Sequence, residues 1–309
     1  MKKIVFLFDG QGAFRPGIGK ELYSNYPEVK GLIEKASSVL NYDLKENLWG
    51  EKAKETSSKT SIAQPAISTI SLAYAAVLKN LDLTSEVSLG HSLGEVTAIV
   101  HCGAVSFEDG IRIIRKRGEL MEREGKQGSM MAVINVEPKI LEQICRKVSE
   151  DISEPVVIAN INEPHQIVIS GSSDGIKQVA QFVAKKNGRG IPLKVGGAWH
   201  SPYLNDAAKE FSGFIDTIQF NPPTSKFYSV VDQKIIADPA IIKDSLQRQM
   251  LSQVDWVTAI NNLKNLGYNT FVEIGPSKIL KDLVFRIDSK IKVESTALFS
   301  DFETLATNI

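Results

Sequence analysis

The chain has 309 residues, 43% of them apolar, with 36 basic and 36 acidic side chains. The length allows one large domain or two smaller ones, and zero net charge argues against a general nucleic-acid binder, which needs a basic field. No uninterrupted apolar run reaches the roughly 18 residues of a membrane span, and the two cysteines, Cys102 and Cys145, form no CxxC, so no disulfide framework or metal site is expected and a reducing cytoplasm is the expected location.

The first element is residues 4–8, a short apolar run ended by Asp9. It reads as a buried strand rather than a signal peptide. The polar stretch "WGEKAKETSSKTSIAQP" reads as a surface loop. In "QPAISTISLAYAAVLKNL" apolar residues crowd several faces, which predicts a deeply buried helix. Residues 86–89 give a second strand. The middle of the chain has a different rhythm: strand 130–134, helix 138–148 with Pro in its first turn, strands 156–160 and 166–170 joined by "INEPH", helix 173–186 opened by a Ser cap, and strand 191–195. This β-α-β-β-α-β order is ferredoxin-like. Strands at 226–230 and 270–273 then continue the first sheet. The fold class expected is α/β: an α/β-hydrolase-like large domain, 1–127 and 196–309, with an inserted ferredoxin-like small domain, 128–195.

Residues 87–98 read VSLGHSLGEVTA. An apolar strand runs into G-H-S-L-G and then into a helical segment, which is a nucleophile elbow in its required context. Ser92 is the candidate nucleophile. Gly90 and Gly94 leave room for strand and helix to approach. The helix N-terminus aims free N–H groups at the nucleophile, and the Leu93 N–H is a natural oxyanion donor. The bland alternative is a Gly-rich turn with a serine cap.

The chain has four histidines to serve as base. His91 adjoins Ser92 on the elbow and is better placed to line a pocket. His101, at the far end of the elbow helix, reads as packing. His165 falls in the expected hairpin. His200, in "VGGAWHSPYL", follows the junction where the chain re-enters the large domain, and it is the candidate general base. The first strand ends in "FDGQGAF", where Gln11 can present its backbone N–H toward the sheet's carboxyl end or simply sit in a tight turn.

These pieces occur in one order: GQG at 10–12, QPA at 64–66, GHSLGE at 90–95, RG at 117–118, IANIN at 158–162, GAWHSP at 197–202, Gln249 before VDW at 254–256, and GP in "VEIGPSKIL". The set resembles the malonyl-CoA:acyl carrier protein transacylase family, which serves fatty-acid and polyketide synthesis. The resemblance implies that Ser92 carries the acyl group and His200 is its base. It implies that Gln11 and Leu93 form the oxyanion hole, that Arg117 holds the malonyl carboxylate, and that a backbone carbonyl at Gln249 orients the histidine. It also implies malonyl-coenzyme A and a phosphopantetheinylated acyl carrier protein as substrates, no resident cofactor and a monomer. Basic residues around 115–117 or 185–189 become candidate contacts for an acidic carrier.

Three departures stand out. Asp9 replaces a proline of many relatives, Ala13 and Phe14 replace Ser-Gln, and Trp199 takes the place of the usual phenylalanine before the histidine. Trp199 either walls the acyl pocket, against a 2-methyl branch or toward a polar malonyl extender, or packs in the core. Two competing functions stay open at this point: a proofreading acyl hydrolase, and a non-catalytic docking module.

Overall fold

The run Ile4–Phe8 is buried at all five positions, as a strand covered on both faces must be. In the computed structural model, which describes residues 3–56, 58–299, 302, 304 and 305, it forms β1, at the centre of a six-stranded sheet. The strands are β2 (Val87–Gly90), β3 (Gly128–Ile134), β4 (Val156–Glu163), β5 (Gln166–Ser172), β6 (Arg189–Pro192), β7 (Lys226–Ser229), β8 (Lys234–Ile236), β9 (Val254–Asp255), β10 (Thr270–Ile274) and β11 (Lys292–Ser295). The first sheet has the order β11-β10-β1-β2-β7-β8, parallel except for the β7–β8 hairpin. The fold is mixed α/β.

Side chains of β1 alternate between two apolar layers: Ile4, Phe6 and Phe8 face one, Val5 and Leu7 the other. The register aligns Phe8 with both Gly90 and Ile274. Three parallel strands therefore end together, and the residues just beyond them converge outside their carboxyl ends, where open α/β sheets place their sites.

The helix Thr60–Asn80 is buried along nearly its whole length. It is long and apolar enough to cross a bilayer by length and composition, but 83% of its most apolar window is buried in this fold. It corrects the expected surface loop: residues Ala53–Thr56 are helical and the long helix starts at Thr60, so Gln64 and Pro65 are interior. Polar side chains misled the reading there because Thr60 and Gln64 find an interior partner in the Gln11 side chain.

The second sheet has the order β6-β3-β5-β4-β9. Strands β3 to β6 pair antiparallel, and the helices Pro138–Ile152 and Ser173–Lys185 cover one face. Met131, Val133, Ile167 and Ile169 point to those helices, whereas Met130, Ala132 and Val168 join the core of the first sheet. The expected hairpin is tighter than "INEPH", since β4 runs to Glu163. The expected strand 191–195 is instead β6, Arg189–Pro192, with the Leu193 N–H just beyond it donating to the Met130 carbonyl oxygen at 3.0 Å. The fifth strand, β9, comes from outside 128–195 and pairs with β4 at Asn160 and Ile161. Gly197 passes so near Gly125 that a Cβ on it would stand 2.2 Å from the Gly125 carbonyl oxygen. The Ala198 N–H donates to that same oxygen at 2.9 Å. The chain thus leaves the first layer and returns to it at one place.

Candidate active site

Two glycines make the elbow possible. A Cβ at Gly94 would lie 1.9 Å from the Phe8 carbonyl oxygen, and one at Gly90 would lie 2.0 Å from the Gly94 carbonyl carbon. The elbow helix Leu93–His101 therefore sits directly on the strand ends. Ser92 takes φ 52° and ψ −103°, a backbone conformation costly for an L residue. Strain of this kind holds the hydroxyl forward over the sheet.

Ser92 Oγ lies 2.7 Å from His200 Nε2. His200 Nδ1 lies 2.9 Å from the Ser252 carbonyl oxygen. A carbonyl only accepts, so Nδ1 carries the proton and Nε2 is free to accept from serine. This corrects the expectation for Gln249: the short bond to the ring goes to Ser252, three residues on, with the Gln249 carbonyl a secondary acceptor. Among the described residues no carboxylate hydrogen-bonds to either ring nitrogen of His200. Burial, then the nearby Arg117 charge, hold the His200 imidazole down at about 3.

Arg117 projects from the helix Phe107–Glu124 and is 1% exposed. Its Nη1 donates to Gln64 Oε1 at 2.8 Å, and its Nη2 and Nε donate to Gln249 Oε1 at 3.0 and 3.2 Å. Nη2 also reaches Ser92 Oγ at 3.1 Å. These partners are all neutral oxygens. A buried guanidinium so placed is ready for an anion beside the nucleophile. Its neighbours on the helix go elsewhere: Arg112 and Arg115 pair with Asp109 and Glu119, and Lys116 with Glu210.

Gln11 opens a 3-10 turn after β1, and its side chain is pinned by Thr60 at 2.7 Å and Gln64 at 3.2 Å. Its N–H and that of Leu93, first residue of the elbow helix, have no partner within their own turns. Below this turn Asp9 is buried, and Ser277 Oγ lies within 2.9 Å of its carboxyl and 2.7 Å of that of Glu273. Burial and the Glu273 charge push the Asp9 carboxyl well above the ordinary carboxylate range.

A cavity of about 250 Å³ opens onto Ser92 and His200, with Gln11, His91 and Trp199 in its wall. Trp199 both lines it and packs: its six-membered ring covers Gly125, where a Cβ would stand 1.8 Å from Cζ3. The indole Nε1 is buried without a partner. His91 Nε2 meets Asn162 Oδ1 at 2.8 Å, and burial lowers its pKa. Asn160 and Asn162 of β4 also line the cavity; their alternation in "IANIN" was the available signal for a shared face. His101 packs its ring, tilted, beside Phe6 and Phe8, and His165 is exposed in a turn. Residues 185 and 186 lie on the helical layer that covers the sheet face opposite the cavity, whereas Lys194 is exposed between two cavity residues, Leu193 and Val195. Among the described residues no cluster of three or more His, Cys, Asp or Glu is arranged to hold a metal ion.

Residues 5–299 match the family described as acyl transferase domain. The chain is 38% identical to the malonyl CoA-acyl carrier protein transacylase of Bacillus subtilis (strain 168), over 99% of this chain and 96% of that protein. It superposes on the crystal structure of MCAT from Streptococcus pneumoniae with a TM-score of 0.94 and 32% identity, covering 99% of this chain and all of that one. A second similar structure is a type II PKS acyl-carrier protein in complex with its malonyl-transacylase, with a TM-score of 0.95 and 27% identity over the whole of both chains. Serine, histidine and buried arginine thus stand together in a chain that belongs to the malonyl-CoA:acyl carrier protein transacylase family of acyl transferases.

Proposed function

We propose that this chain moves a malonyl group from coenzyme A to the phosphopantetheine thiol of an acyl carrier protein, through an acyl-Ser92 ester. The observation that carries this reading is Arg117, buried, hydrogen-bonded among the described residues only to neutral oxygens, with one nitrogen on the nucleophile's oxygen.

Malonyl-coenzyme A places its carboxylate on Arg117 and its thioester carbonyl over Ser92. His200 Nε2 takes the hydroxyl proton as Oγ attacks. The Gln11 and Leu93 N–H groups stabilise the oxyanion, each contributing roughly 3–4 kcal/mol. The tetrahedral intermediate expels coenzyme A, and His200 returns the proton to the departing sulfur. The carrier thiol then gives its proton to His200 and attacks the ester; as the ester C–O bond breaks, His200 returns that proton to Ser92 Oγ and the carrier leaves with the malonyl group. The acyl carboxylate also neutralises Arg117, which removes one of the causes that hold His200 low. A thiolate leaves more easily than an amine, so a carbonyl behind Nδ1 suffices where amide hydrolysis needs a carboxylate.

The chemistry as proposed uses no resident cofactor. The two units read as an α/β-hydrolase-like large domain, 1–127 and 196–309, and a ferredoxin-like small domain, 128–195, in a cytoplasmic monomer. A second reading has one observation in its favour: the unpartnered Nε1 of Trp199 suits a polar malonyl extender. The hydrolase reading does not account for Arg117, because neutral stalled chains offer it no partner. Initial velocities measured against both substrates test the proposal: parallel double-reciprocal lines support an acyl-enzyme, and intersecting lines refute it.

A further inference from the structure

The elbow carries a second acidic signal that the mechanism has not used. Ser92-Leu93-Gly94-Glu95 has the S-x-x-E pattern of a capping box, in which serine and glutamate close the helix start on each other. Here Ser92 makes no capping bond. Glu95 is 2% exposed and turns the other way: its Oε1 accepts from the Val230 N–H at 2.8 Å, Ser229 Oγ at 3.1 Å and the Val231 N–H at 3.4 Å. The Gln249 amide lies beside this carboxyl and favours its charged form.

Gln249 is therefore a two-ended connector. Its Nε2 faces Glu95 and donates to the Ser92 carbonyl oxygen at 2.8 Å, while its Oε1 accepts from Arg117. A carboxylate at one end and a guanidinium at the other fix which way the amide lies. Glu95 is also the group whose negative charge supports the charged form of Arg117.

We propose that Glu95 is a positioning residue and the resting counter-charge of Arg117, and that an acyl carboxylate arriving on Arg117 is exchanged against it, Glu95 taking up a proton from solvent. The proton returns to solvent when the acyl group leaves. This rests on the reading of Arg117 as the acyl-carboxylate site.

Three facts support the exchange. Two anions on one buried cation repel, and the one free to protonate does so. Burial already lifts the Glu95 carboxyl to about 7, against its three hydrogen-bond donors. The other ionisable groups around it do not compete near neutrality. Burial holds His200 at about 3 and lowers His91. Arg117 stays charged at about 10. Asp9, beyond β1, shares Ser277 with Glu273. Asp232, Asp244 and Arg248, beside Gln249, pair with one another at the surface.

The sign follows. Glu95 binds its proton more tightly when the acyl carboxylate is present. Affinity for malonyl-coenzyme A is thus greatest below about 7 and falls as pH rises through the higher value of the bound state. Calorimetry of malonyl-coenzyme A binding to the unreactive Ser92→Ala protein, at a pH near 7.5 in buffers of different ionisation enthalpy, should show net proton uptake. Acetyl-coenzyme A should cause none. Adding Glu95→Gln should abolish the uptake, and adding Glu95→Asp should retain it. Infrared difference spectra of the Ser92→Ala protein should show a protonated-carboxyl stretch on binding. Absence of uptake and of that band with Ser92→Ala overturns the proposal, whether or not Glu95→Gln folds; so does equal uptake in folded Ser92→Ala and Ser92→Ala/Glu95→Gln proteins. The underlying reading fails separately, if Arg117→Ala binds malonyl-coenzyme A as tightly as its parent.

Discussion

Arg117 Nη2 lies 3.1 Å from Ser92 Oγ, so the cation that would hold a carboxylate also touches the attacking oxygen. Oγ accepts from the guanidinium and donates to His200. Selection of the acyl group and activation of the nucleophile are thereby one arrangement. Replacing Arg117 with Ala should lower kcat/KM for malonyl-coenzyme A by about 30- to 1,000-fold, as loss of a buried charge partner does. Transfer from acetyl-coenzyme A should change far less. Equal losses for both donors would remove the carboxylate role.

The pH dependence follows from His200. Burial, then Arg117, keep its imidazole neutral down to about 3, far below the ordinary value of about 6.5. The folded state binds this proton less tightly than the unfolded chain. The stability it contributes is full above about 6.5 and is lost as pH falls toward about 3. Activity with a neutral donor should keep a flat acid limb through pH 6, and Arg117→Ala should move that limb upward. A wild-type limb at the ordinary histidine value would contradict the burial argument.

Gly94 has no space for a side chain against Phe8. Gly94→Ala should lower stability by about 1–3 kcal/mol, read as a fall of at least about 3 °C in Tm, and should lower kcat as Ser92 is displaced. An unchanged Tm would mean that the strand end and elbow adjust freely.

Trp199 walls the cavity with its ring on Gly125. Trp199→Phe should raise the methylmalonyl-to-malonyl ratio of kcat/KM by about tenfold, the usual worth of one methyl group in a fitted pocket. If polar-substituted malonyl donors lose most, the unpartnered indole N–H selects them.

Carrier docking should follow the cavity mouth. Lys194→Glu should raise the carrier KM about 3- to 10-fold, while Lys185→Glu with Lys186→Glu should leave it unchanged, because those residues lie on the far helical layer. The reverse pattern would place the carrier on that layer.

What the sequence made legible was local. Ser92 could be read because strand, glycines and helix are contiguous. His200 was reached by setting aside His91, His101 and His165. The β-α-β-β-α-β order was visible because β4 and β5 carry β-branched runs on either side of a short turn. The strands missed were short: β8 reads KII, β9 is two residues and β11 reads KVES. The carbonyl of Ser252 left no trace, because a backbone acceptor has no side-chain signature. Glu95 was hidden by its own motif, since S-x-x-E reads as a helix cap and only tertiary structure turns it toward Val230. Lys185 and Lys186 looked promising because charge is visible in sequence and the side of a sheet is not.

The central claim is that Ser92 carries a malonyl group between two thiols. Intact-mass measurement of the protein mixed with malonyl-coenzyme A, then with holo acyl carrier protein, tests it most directly. The account predicts one malonyl adduct, absent in Ser92→Ala, that moves intact to the carrier. Prompt release of free acid would instead indicate a hydrolase, and no adduct at all would contradict the covalent mechanism.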